Sequence, residues 1–249
     1  DNGAMFGIVD IWLDAFDAYD PDAQAADFFA AVDTATGPAQ TIMHDLPRRF
    51  RMWVESLKVP DMTYRPLNGV ICNSKTLNFN YTEFIEDLYG VEKENICYIH
   101  GCRRKEKYHP KDKLIIGHTP GAGDDDLAGD FRLPKYKSSR KREMVDAAIE
   151  TAARNLSWYD EETTKNCRDI IKNHQEFFEG LSNVSRIIVV GHSLSPVDWD
   201  YFKKIIGVNK NKKNIEWFIS CHSASDIENI KMFAKAMDIE AERIALFAT

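Results

Sequence analysis

The chain has 249 residues, 44% of them hydrophobic and 29% charged, with a formal net charge of −7. That length supports one large domain or two small ones, and the composition is that of a globular protein rather than a disordered or fibrous one. No apolar run reaches the roughly 20 residues needed to span a bilayer, and no leader of secretory type is visible, so a cytoplasmic protein is expected.

The first part of the chain is acidic. Residues 1–47 hold nine Asp and no Glu, Lys or Arg, so the remainder carries a small positive charge. In "IVDIWLDAFDAYD", Ile11, Trp12, Ala15, Phe16 and Tyr19 recur at helical spacing, with the acids as a solvated face. The spacing predicts helices over about 7–19, 21–33 and 38–58, with Pro47 kinking or dividing the last. "KTLNFN" then reads as a short buried strand, and "YTEFIEDLYG" as a helix stopped by Gly90. "ICYIHG" and "KLIIGH" read as two further strands. A long polar loop follows from His118 to Ser139, and then two helices, about 139–156 and 160–180. The last third alternates clearly: "RIIVVG" strand, "VDWDYFKKII" helix, "IEWFISC" strand, "SDIENIKMFAKAM" helix, "RIALFA" strand. Such β-α-β-α-β order predicts a parallel sheet covered by helices, with right-handed crossovers. The expected organisation is a single α/β domain over 1–249. It carries an N-terminal helical region, 1–60, and a helical insertion, 138–181, capping the site.

Four of these strands end in polar residues. "TLNFN" runs into Asn80, Tyr81 and Thr82; "CYI" into His100 and Gly101; "LII" into Gly117 and His118; "IIVV" into Gly191, His192 and Ser193. In open parallel sheets, ligands bind outside the carboxyl ends of the strands. A shared sheet would therefore bring Asn80, His100, His118 and His192 to one crevice, with glycines allowing close backbone approach.

Two other chemistries fit poorly. "GHSLS" (191–195) comes within one residue of the G-x-S-x-G nucleophile elbow, but Ser195 replaces the second glycine and Pro196 follows. Only His222 lies downstream of Ser193, with no well-placed acid, so the triad order is not met. The five cysteines (Cys72, Cys97, Cys102, Cys167, Cys221) show no C-x-x-C spacing, and the histidines show no H-x-x-x-H spacing. Reduced thiols and no metal are expected.

The blocks "LNFNYTEFIEDLYG", "YIHG", "LIIGH" and "VVGHSLSPVDWDYF" resemble, in order and spacing, the bacteriophage abortive-infection family AbiH. That family in turn resembles the sirtuin-like NAD-cleaving domains of bacterial defence systems. The resemblance implies a parallel Rossmann-like, sirtuin-like sheet with helices on both faces, and NAD as substrate. "NFNYT" resembles the strand-end T-x-N-x-D motif with Asn80 at the Asn position, and "IHG" the HG motif with His100 at the His position; these are the implied catalytic pair. "GHSLSPVD" resembles the turn bordering the adenosine end through Gly191, Ser193 and Asp198. Tyr81, Thr82, Gly101, Gly117, His118 and His192 complete the implied nucleotide-binding set. Asp198 either caps the following helix or accepts from a ribose hydroxyl. Two departures stand out. Thr82 replaces the usual Asp, and residues 1–47 contain no strand with a GNGFD-like glycine turn. Either that segment lies ahead of Asp1 or this chain has lost it.

Three functions are weighed. The first is an NAD glycohydrolase. The second is a module that binds an ADP-ribose-type nucleotide without turnover. The third, nucleic-acid contact, rests on "KYKSSRKR" (135–142), "RRKEK" (103–107) and "KNKK" (210–213). Such clusters bind phosphates but are commonly solvated faces, and no aromatic platform interleaves them. A phage component as trigger and a second copy of the chain are compatible partners; a membrane is not expected.

Overall fold

The computed structural model describes residues 24–59, 61, 71, 74–104, 114–117, 143, 147, 150–151 and 165–248. Two compact units divide the chain: Asp1–Trp53 with Ile116–Lys165, and Val54–Ile115 with Asn166–Thr249.

The main described element of the first unit is helix α1, Ala25–Ser56, whose last residues, from Val54, belong to the second. Asp27 lies in its first turn, where a carboxylate complements the helix dipole, and accepts the Gln24 N–H at 2.8 Å. The expected helices 21–33 and 38–58 are one continuous helix, because Pro38 and Pro47 do not break it. Each proline removes one backbone bond, but its fixed φ is itself helical, so neighbouring turns carry the chain through. Thr34 and Thr41 donate back to the carbonyls of Ala30 and Gly37 on either side of Pro38. The expected helix 7–19 lies outside the described residues. Of the expected helix 139–156, residues 143, 147, 150 and 151 are helical.

The second unit holds the strands. β1 (Thr76–Asn78) pairs in parallel with β2 (Ile96–Tyr98), in register Leu77 to Cys97. Between them α2 (Phe84–Tyr89) ends at Gly90, whose φ of 64° is the left-handed cap that glycine adopts without strain. The expected strand "KLIIGH" does not form among residues 114–117. Among the described residues, one backbone bond joins it to β2's extension, from Ile115 N–H to the His100 carbonyl at 2.9 Å. The expected helix 160–180 is two short ones, α3 (Cys167–Asn173) and α4 (Gln175–Glu179), broken at His174.

The tail follows the predicted alternation. β3 (Arg186–Val189), β4 (Glu216–Ser220) and β5 (Ile244–Phe247) form a second parallel sheet in that order, separate from β1–β2, so the one shared sheet expected from the sequence is two among the described residues. α5 (Trp199–Val208) joins β3 to β4, and α6 (Ala224–Ala236) joins β4 to β5. α6 starts with a capping box, Ser223 with Asp226. It buries Ile230 and Phe233, one turn apart, while α5 buries Tyr201, Phe202 and Ile205. The two helices meet β4 at Trp217, where the Phe202–Phe233 and Trp217–Phe233 ring centroids lie 5.0 and 5.6 Å apart. A second cluster gathers Cys97, Ile99, Cys167, Ile170, Phe178, Tyr201 and Ile205. α5 thus serves both clusters, and its first residues stand at the carboxyl end of β3. Among the described residues, no helix is long and apolar enough to cross a membrane.

Candidate functional site

Beyond β2 the chain turns at His100 and Gly101, where Gly101 adopts φ 87°. His100 is 3% exposed. Beyond β3 the chain makes a sharper turn. Gly191 sits at φ 61°, and Leu194 is forced to φ 54°, a conformation that costs a branched residue on the order of 1–3 kcal/mol. The turn is over-determined. Ser220, buried at the end of β4, accepts the Gly191 N–H at 2.8 Å; Leu194 donates its N–H to His192 Nδ1 at 2.9 Å and accepts Trp199 Nε1–H at 2.8 Å. A Cβ on Gly191 would meet nothing within 4 Å, so glycine is required there by backbone angle rather than by space.

These turns aim two imidazoles at one carboxylate. Asp198 Oδ2 lies 3.3 Å from His192 Nε2, and Oδ1 lies 3.7 Å from His100 Nε2. Asp198 occupies the N-cap position of α5 but makes no side-chain cap bond. Of the two roles open to it in the sequence, capping is therefore excluded. Asp198 is itself buried, and a buried carboxylate needs partners.

Aromatic rings close the site. Phe79 lies edge-on to His192 and His100, with centroids at 4.3 and 5.6 Å, and the Tyr81 ring is 6.2 Å from His100. Tyr81 donates its hydroxyl to the Ile115 carbonyl at 2.7 Å. Burial, then the nearby Asp198 charge, raises its phenol above the ordinary range. Tyr201 is fully buried 5.8 Å from His100, and burial followed by the adjoining Cys167 thiol raises its phenol as well.

The residues singled out in the sequence separate into groups. Tyr81, His100, His192 and Asp198 come together. Thr82 is buried and supports the site through its carbonyl, which accepts Asn78 Nδ2 at 3.4 Å. Gly101, Gly191 and Ser193 form the rims, Ser193 being exposed. Gly117 is half-buried and belongs to the other compact unit. His118 lies outside the described residues. Asn80 is exposed, while the buried carboxamide is that of Asn78, whose Oδ1 accepts the Asn80 N–H at 2.9 Å. Asn78 was legible as the residue two beyond Thr76, which reads T-x-N with its Asn two residues before Asn80. Phe79 and Tyr201 were missed, since an aromatic beside a strand end or on an amphipathic helix reads as core.

The elbow reading of Ser193 fails here too. Both nitrogens of the adjacent His192 are directed elsewhere, to the Leu194 N–H and to Asp198. Among the described residues, no group of three or more His, Cys, Asp or Glu could hold a metal ion.

A family model described as Bacteriophage abortive infection AbiH matches residues 13–221, well over half of the chain. No curated protein matches the sequence, and no solved structure matches either.

Proposed function

The chain belongs to the AbiH family of bacteriophage abortive-infection proteins, so its role is anti-phage defence; from that premise we propose that it acts as an NAD glycohydrolase built on a sirtuin-like fold. The observation that carries this reading is a buried carboxylate, Asp198, set between His100 and His192 at the carboxyl ends of β2 and β3. Carboxyl ends of parallel strands are where α/β folds hold nucleotides, β2 and β3 here ending two separate sheets, and an acid with an imidazole beside it is an arrangement for moving a proton near neutral pH.

In the proposed reaction the bond between ribose C1′ and the nicotinamide nitrogen breaks heterolytically. The electron pair stays on the ring, which leaves as neutral nicotinamide, and positive charge develops on the ribose. A water oxygen then bonds to C1′, and its proton passes to His100 and on to solvent, giving ADP-ribose. Asp198 stabilises the imidazolium so formed, and the aromatic walls keep other water out. The buried carboxamide near the reacting ribose is that of Asn78, in place of Asn80; Asn80, Thr82 and the Gly191–Ser193 turn line the approach.

A second reading, a nucleotide-sensing module without turnover, is favoured by one observation: His100 is only 3% exposed, so a ligand reaches it only if the site opens. Nicotinamide release from NAD by purified protein separates the two. The expected result is release by wild type and a loss of about 10²–10⁴-fold in His100→Ala. Nucleotide binding with no release would establish the sensor instead.

A further inference from the structure

The two imidazoles that flank Asp198 are not equivalent. His192 Nδ1 accepts the backbone N–H of Leu194 at 2.9 Å, so a neutral His192 ring carries its proton on Nε2. Nε2 is the nitrogen 3.3 Å from Asp198 Oδ2. The Leu194 N–H is in turn held by the turn, whose first residue, Gly191, donates its own N–H to the buried Ser220 Oγ on the neighbouring strand. An ordered chain therefore runs from β4 through Ser220, the Gly191 turn, Leu194 and His192 to the carboxylate. On the other side, His100 approaches Oδ1 from a different strand and a different turn.

We infer that His192 and Ser220 are positioning residues, with His192 acting as a fixed Nε2–H donor that orients Asp198, and that no proton of the reaction is exchanged at His192. This rests on the glycohydrolase reading for its kinetics but not for its geometry. A second imidazole serving as acid or base would need to exchange a proton at a ring nitrogen that faces substrate or water. In His192 one nitrogen is occupied by Leu194 and the other faces the carboxylate.

Two measurements test the assignment. Long-range proton–nitrogen correlation spectra of histidine-labelled wild type, with the His192 signals identified by their loss in His192→Gln, should show a single Nε2–H tautomer. A Nδ1–H tautomer for His192 would overturn the inference whatever the enzyme does. Ser220→Ala should convert that single tautomer into a mixture, and an unchanged spectrum would remove Ser220 from the chain of support. In the nicotinamide assay, His192→Gln sets an amide nitrogen near the Nε2 position and should stay within about tenfold of wild type. His192→Phe, with no donor to a charged group, should fall about 10–100-fold. A collapse of His192→Gln by about 10²–10⁴-fold, matching His100→Gln, would make His192 a proton-transfer group and refute the assignment. Absence of release by wild type would defeat the glycohydrolase reading, and the tautomer spectrum would still decide this one.

Discussion

Asp198→Asn is the most informative single change, because it keeps the side chain's size and removes only its charge. At the 3.7 Å separation from His100 Nε2, a unit positive charge on that ring is stabilised by roughly 4.5 kcal/mol with an effective dielectric of about 20. The Asp198 side chain retains 11% exposure, and the carboxamide dipole replaces part of the lost attraction, so a net loss of about 3 kcal/mol is the better figure. That corresponds to a fall of about 10²-fold in a step that places charge on His100. The assay is kcat/KM for nicotinamide release, run beside thermal unfolding of the same preparation. Since Asp198 does not cap α5, helix stability gives no reason for the variant to unfold. A folded Asp198→Asn protein retaining activity within threefold of wild type would show that His100 does not gain charge in the rate-limiting step, and would refute the reasoning.

Three further outcomes are expected. His100→Ala should abolish nicotinamide release while Ser193→Ala, an exposed turn residue, should stay within about fivefold; equal collapse of both folded variants would restore the serine nucleophile. Burial pushes the Cys97 thiol up to about 12 from an ordinary 9.0, and the phenols of Tyr81, Tyr98 and Tyr201 are raised as well. The folded state thus holds these protons more tightly than the unfolded chain, so these groups' contribution is fully present just below pH 9 and stability should decline as pH rises from 9 toward 12; denaturant unfolding across that range checks it, and constant stability would contradict it. Arg103 pairs with Glu83 at 2.7 Å and also donates to the carbonyls of Val54 and Leu57 at the end of α1. Arg103→Ala should cost about 3–5 kcal/mol by leaving Glu83 uncompensated, and Arg103→Lys should recover only part of it in the same unfolding assay.

The βαβαβ tail was legible because hydrophobic period changes between strand and helix in each segment, and parallel pairing follows from the crossover helices alone. The fate of "KLIIGH" was not, since a strand exists only where a neighbour accepts its ladder, and among the described residues 114–117 the backbone bond seen is the one from Ile115 to His100. Continuity of α1 through Pro38 and Pro47 also escaped the local rule, because a proline's cost is set against the rest of a 32-residue helix. At the site, the histidine at each strand end was visible from its neighbouring glycine. That Asn78 is buried and Asn80 exposed depends on where β1 stops, and boundaries are what local propensity specifies least. Asp198 showed the same limit. A carboxylate just ahead of an amphipathic helix reads as a cap, and only the fold brings it to His100, on another strand.

Phe79 explains why this cluster is inseparable from the folding core. It is the first residue after β1, and it touches both hydrophobic clusters of the second unit. Its ring stacks on Phe202 at 6.0 Å with planes 11° apart and lies edge-on to Tyr201 at 5.8 Å. The same ring stands within 5.6 Å of both site imidazoles. An aromatic ring carries negative potential on its face and positive potential at its edge. A cation within about 6 Å of a ring centroid is stabilised when it lies over the face. Phe79 meets His100 edge-on, so its ring adds no such stabilisation, and a protonated His100 would depend on the Asp198 carboxylate, which lies just ahead of α5 while Phe79 lies just after β1.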